Sequence, residues 1–195
     1  MRRDITGDLE WLAVGVFQGR LKLPYDDASY LTEDRLLDFA RINGLSVAKV
    51  HFFLEQYLLV PQREANGVKL FNAASLADNI RFVEDMQRVG LSLEIQQVIV
   101  GRLANLEELL WKQALEAGRK NRPDATEGSL ADARVRVAAS VAVVNAIQRE
   151  KQRIVSGVSQ KGDEAEGFVA YAIAANERRK QRRALLERLE QMYGL

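Results

Sequence analysis

Cysteine is absent from the 195 residues, and histidine occurs once, at His51. The first absence excludes a disulfide framework, thiolate metal centres and redox-sensing thiols, and it fits a reducing compartment. The second excludes any multi-histidine metal site and leaves a histidine-dependent nucleophile only one residue to rely on. Proline is scarce, at positions 24, 61 and 123 only, so long stretches run free of the strongest helix breaker and a mostly helical chain is expected. The longest apolar run is the nine residues from Gly167 to Ala175, whereas a bilayer span needs about 20. Arg2 and Arg3 open the chain, but Asp4, Asp8 and Glu10 follow and no small-residue cleavage site closes an apolar core, so no secretory signal is expected. The expectation is a soluble cytoplasmic protein with no membrane contact.

An excess of one charge is also missing. Lys and Arg number 28 against 27 Asp and Glu, a net charge of +1, with 47% apolar and 28% charged residues. That is ordinary globular composition, and a chain of this length buries about 70% of its unfolded surface. Residues 1–34 hold four basic and seven acidic residues, 35–103 hold eight and seven, and 104–195 hold sixteen and thirteen. None of these balances is the large basic surplus of a non-specific nucleic-acid binder, so any DNA contact must come from a small, shaped set of residues. Catalytic signatures are lacking too: the chain has no G-x-x-x-x-G-K-[ST], G-x-G-x-x-G, H-E-x-x-H or G-x-S-x-G. No enzymatic activity, metal or cofactor is expected, and the pairs Asp26-Asp27 and Glu33-Asp34 are read as loop and cap carboxylates.

What is present is a regular alternation of helix signals and turns. Thr32 can cap a helix that starts with Glu33 and Asp34 and shows Leu36, Leu37, Ala40 and Ile42 on one face before Gly44 stops it. Ser46 caps a second helix with Val47, Val50 and Leu54 at helical spacing, so two short helices are joined by a tight glycine turn. From Leu58 to Phe71 the chain reads L-L-V-P-Q-R-E-A-N-G-V-K-L-F, and Asn66-Gly67 suits a two-residue hairpin turn between short strands. Ser75 begins a helix with Leu76, Ile80, Val83 and Met86, Gly90 ends it, and Ser92 caps a longer helix through Ile95, Val98, Ile99, Leu103, Leu106 and Leu110.

This order of parts resembles the MerR family of winged-helix DNA-binding proteins. Gly44-Leu45-Ser46 matches the start of that family's G-V-S-x-x-T-I-R-Y-Y-E-x-x-G-L-L segment, and Leu58-Leu59 with Pro61 matches its close. Gly67-Val68-Lys69-Leu70-Phe71 stands where the wing motif G-Y-R-x-Y would be, and Gly90-Leu91-Ser92-Leu93-Glu94-Ile95 matches G-F-S-L-x-E-I. The match covers about residues 34–110. The departures fall on DNA-facing positions: His51 for an Arg, Phe53 for a Tyr, Val68 and Phe71 for wing Tyr residues, Lys69 for the wing Arg, and Tyr57 for a Gly. Guanidinium forks and phenolic donors to phosphate are lost together. This leaves open an atypical site, weak DNA binding or a partner other than DNA.

The fold expected is mainly α: a winged helix-turn-helix head with a small β-hairpin wing, a long dimerisation helix and a helical C-terminal region. The expected boundaries are 1–30 for an N-terminal extension, 31–103 for the head and 104–195 for the dimerisation or effector region. Candidate DNA contacts are Lys49, His51 and Phe52 on the second helix, Arg63 and Lys69 on the wing, and Arg81 on the following helix, each set against the plainer reading of a solvated or half-buried surface residue. The resemblance implies a coiled-coil-like dimer helix over about 104–120. Leu106, Leu110 and Trp111 give it an apolar stripe, and packing onto a 129–155 helix with Leu130, Ala133, Val137, Val141, Val144, Ile147 and Ile154 is the intramolecular alternative. A final helix of about 164–193 carries Arg178, Arg179, Lys180, Arg182 and Arg183, suited either to phosphate or a protein partner or to a solvated face paired with glutamates. The leading functional expectation is a homodimeric transcriptional regulator on palindromic double-stranded DNA. A helical protein-interaction module and a DNA partition or nucleoid protein are the competing ones.

Overall fold

A computed structural model describes residues 5–160. The described chain is mainly helical, with six α-helices and one three-stranded antiparallel sheet. The elements run α1 (Ile5–Phe17), β1 (Tyr30–Leu31), α2 (Glu33–Ile42), α3 (Val47–Glu55), β2 (Arg63–Ala65), β3 (Val68–Asn72), α4 (Leu76–Arg88), α5 (Leu93–Asn121) and α6 (Leu130–Gln160). The expected final helix of about 164–193 lies outside the described residues.

Local chemistry accounts for most boundaries. Ser46 caps α3, its hydroxyl accepting the Lys49 amide at 3.3 Å, whereas Thr32 precedes α2 without a side-chain cap bond. Asn66 (φ 51°) and Gly67 (φ 76°) both take the left-handed conformation that a tight hairpin turn demands, and Ala65 pairs with Val68 across it. Strand β3 sits centrally: its first part pairs with β2, and Phe71 and Asn72 pair with Leu31 and Tyr30. The segment before residue 31 therefore contributes to the sheet.

The main core lies where α2, α3, the sheet, α4 and the first half of α5 meet. Leu36, Val50, Leu58, Val83 and Met86 are the fully enclosed side chains of this region. Alpha-helical spacing on α2 and α4 produces it, since each of these helices has one apolar stripe to cover. Helix α5 continues unbroken past residue 103, and α6 runs back along it. Within residues 1–30, expected as an N-terminal extension, α1 lays Ala13 and Val16 against Ala133 and Val137 of α6. Part of the apolar surface of α6 is thereby covered by α1.

Trp111, expected in a dimer contact with packing onto the 129–155 helix as the alternative, is 6% exposed, stacked on Tyr25 with ring centroids 5.1 Å apart and clustered with Ala139, Val143 and Ile147 of α6. Leu106 and Leu110 are partly buried against the same cluster. Trp111 of that stripe is thus covered within one chain, while Leu106 and Leu110 keep part of their surface in solvent. Among the described residues, no helix is long and apolar enough to cross a membrane.

Candidate nucleic-acid interface

Helix α3 turns Val50 and Phe53 into the core and leaves Lys49, His51 and Phe52 at the surface. Phe52 is 49% exposed, its ring tilted against Phe53 at 5.9 Å. The amphipathic spacing of α3 causes this arrangement, since residues one position away from an inward-facing site project to the flank. Lys69 is exposed on β3, directly across from Glu64 of β2, and Val68 beside it is 46% exposed. Arg81 is exposed on α4.

Carboxylates sit close to these cations. The Lys49 ammonium is paired with Glu84 of α4. His51 Nδ1 lies 3.4 Å from Glu55 Oε1, one turn along α3, with both side chains more than half exposed. Exposed pairs of this kind contribute only about 0–1 kcal/mol, and a phosphate can replace the carboxylate at little cost. Arg81, one helical turn before Glu84, lines a pocket with Asp78 and Asp85 of α4 and Gln148, Lys151 and Gln152 of α6.

Arg63 was expected among the wing's DNA contacts, with a solvated cation as the plainer reading; its side chain is only 21% exposed, with Nε 3.0 Å from Glu108 of α5 and a guanidinium nitrogen 2.9 Å from Asp27. Its guanidinium also stands 3.8 Å above the Tyr30 ring. Burial opposes the charge, but Glu108, Tyr30 and Asp27 more than compensate and hold the guanidinium protonated above its usual range. Arg63 therefore fastens the base of the hairpin to α5 and to the 23–31 segment. Of the other candidate contacts, Lys49, His51, Lys69 and Arg81 are exposed. Arg178, Arg179, Lys180, Arg182 and Arg183 lie outside the described residues.

Behind the head, a polar network joins it to the helical body. Glu107 of α5 is 6% exposed and accepts a hydrogen bond from the Tyr25 hydroxyl at 3.0 Å. Burial pushes the Glu107 carboxyl above the usual glutamate range despite that bond, and burial followed by the charge of Glu107 pushes the Tyr25 phenol up as well. Lys151 of α6, also 6% exposed, pairs with Asp78 and donates to Asn79 Oδ1 at 2.7 Å. Burial alone would raise the Asp78 carboxyl, but hydrogen bonds from Lys151 and Gln148 outweigh it and hold it below the usual range. A cavity of about 30 Å³ lined by Gln62, Asn79, Glu107 and Lys151 among apolar neighbours lies at this junction, large enough for about one water molecule.

The Tyr25, Tyr30, Asp27, Glu107 and Glu108 cluster was not singled out from the sequence. The one available signal was two tyrosines flanking the acidic pair 26–27, and nothing in their spacing points to partners some 80 residues away. Compared with protein-family models, with curated proteins and with solved structures, the chain finds no match.

Proposed function

We propose that this protein binds double-stranded DNA, with α3 entering a groove and the β2–β3 hairpin resting on the flanking backbone, as a sequence-specific transcriptional regulator of MerR-like type. The observation that carries the reading is the exposed row Lys49, His51 and Phe52 on α3. It follows a short helix and a four-residue turn, and it precedes a hairpin that exposes Val68 and Lys69. Side chains on such a helix reach base edges, while hairpin cations position the protein on phosphates. Two copies on a palindromic site are part of the proposal. Light scattering of the free and bound protein tests it.

Without Arg63, each head offers Lys49, Lys69 and Arg81 to the backbone. If half of these engage in a pair of heads, about three phosphates are neutralised and the log–log salt slope is near about −3. The experiment is selection of genomic fragments by the purified protein, followed by salt titration of the enriched fragment. Enrichment of one palindrome supports regulation, whereas many scattered sites support partition or nucleoid binding. Lys69→Ala is expected to weaken all sequences about equally and to lower the slope by about one unit. Absence of any complex at about 50 mM salt would overturn the proposal. A protein-interaction module on the same surface is the second reading, favoured by the carboxylates that already engage Lys49 and His51.

A further inference from the structure

Four helices of this chain end in the same backbone motif, and one of them breaks its rule. At the ends of α1, α2 and α4 a glycine takes the left-handed conformation: Gly19 (φ 68°), Gly44 (φ 70°) and Gly90 (φ 82°). In each, the residue after the glycine donates its amide to the carbonyl five positions back: Arg20 to Gly15 at 2.9 Å, Leu45 to Ala40 at 2.9 Å and Leu91 to Met86 at 3.1 Å. Glycine suits this position because it has no Cβ to collide with the backbone when φ is positive. Helix α3 ends identically, with Tyr57 N donating to Leu54 O at 3.1 Å and Leu58 N to Phe53 O at 2.8 Å. Its left-handed residue is Tyr57, at φ 53°.

A bulky side chain in that region is a genuine conformational outlier and persists only where its surroundings hold it. They do so here: Leu58 is 1% exposed and Phe53 3%, both in the main core, and the Gln56 carbonyl accepts from Gln97 Nε2 of α5 at 2.8 Å. The strained residue's own side chain is 66% exposed and, among the described residues, has no hydrogen bond, ion pair or ring partner. A glycine would suit the backbone better there, and among the described residues no polar or ring contact of the phenol offsets the cost.

We infer that Tyr57 is a further nucleic-acid contact, its hydroxyl donating to a backbone phosphate beside the groove that α3 enters. This rests on the reading of α3 as the DNA-facing helix. Base edges are met chiefly by residues toward the start of such a helix, and a hydroxyl just past its end is placed for the flanking backbone, where phenolic donors bind phosphate oxygens. The exposed Phe52, one and a half turns earlier, extends the same end of the surface.

The test compares Tyr57→Gly and Tyr57→Phe with the parent and with Lys69→Ala, by thermal melting and by titration of the enriched fragment. Tyr57→Gly is expected to melt about 2–4 °C higher, because the strain is relieved, and to bind about three- to tenfold more weakly, because one hydrogen bond is lost. Tyr57→Phe is expected to melt with the parent and to bind more weakly by a similar factor. Opposite signs in stability and binding are a signature that a purely structural residue does not produce. If Lys69→Ala weakens binding while Tyr57→Phe titrates with the parent, the hydroxyl contact is wrong and the duplex reading stands. If Tyr57→Gly melts lower than the parent, the strain argument is wrong. If the parent enriches no fragment, the duplex reading fails, and this inference fails with it.

Discussion

The helical body and the head use charge in different ways. In the body, three ion pairs bridge separate elements and are at least partly withdrawn from water: Asp132, 2% exposed, holds Arg119 at 2.9 Å, Arg136 pairs with Asp26, and Lys151 reaches from α6 to Asp78 on α4, beside local exposed pairs such as Arg122–Asp124 and Arg153–Glu150. On the head, Arg41–Asp38, Arg88–Asp85 and His51–Glu55 are pairs within one helical turn and lie open to solvent. The contrast separates charges that hold the architecture from charges that can be exchanged. A buried ion left without its partner is costly, while a surface pair is nearly neutral to stability and free to trade its carboxylate for another anion.

The largest effect that would sharpen this contrast is expected at Trp111. Trp111→Ala empties the junction between Tyr25, α5 and α6 and should cost about 3–5 kcal/mol, measured by urea unfolding. Asp78→Ala comes next: it strands the Lys151 ammonium, whose side chain is 7% exposed, and should cost about 3 kcal/mol. Lys49→Ala on the head should change stability by no more than about 0.5 kcal/mol. A loss at Lys49 as large as that at Asp78 would break the distinction between the two regions.

The smallest effect is one of slope against pH. The folded-state value of Glu107 is raised above the ordinary 4.5, so the folded chain holds a proton there that the unfolded chain releases. The favourable contribution is complete below 4.5 and is lost as pH rises through the folded value. Asp78 has the opposite sign: its lowered carboxyl stabilises above the ordinary 3.8, and that contribution fades as pH falls through the folded value. Lys151, Asp78 and Glu108 all act on Glu107 electrostatically. Glu107→Gln should flatten the decline in stability from about pH 5 upward, measured by urea unfolding across pH. An unchanged profile would remove Glu107 from the account of the junction.

How much could be foreseen depended on how far apart the interacting residues lie along the chain. Ser46, Gly44, Gly90 and the Asn66-Gly67 turn were legible because each acts on backbone within five residues, where steric rules and one or two hydrogen bonds decide the outcome. The apolar stripes of α2, α4 and α5 were legible for the same reason, since helical period is a local property. The outward faces of α3 and β3 followed from those stripes, so Lys49, Phe52 and Lys69 were found at the surface as expected.

Which stripe covers which was decided only in three dimensions. Trp111 and the Leu106 and Leu110 face carried the same pattern whether they were to meet a second chain or α6 and Tyr25, because amphipathicity specifies that a face is buried and not by what. Arg63 read as an available wing contact because its partners, Asp27 and Glu108, lie 36 and 45 residues away and only the assembled sheet and α5 bring them within 3 Å. The helix of residues 5–17 and the strand at 30–31 owe their places to α6 and β3. Long-range packing satisfied their apolar and backbone groups, and such packing leaves no periodic mark on the segment that joins it.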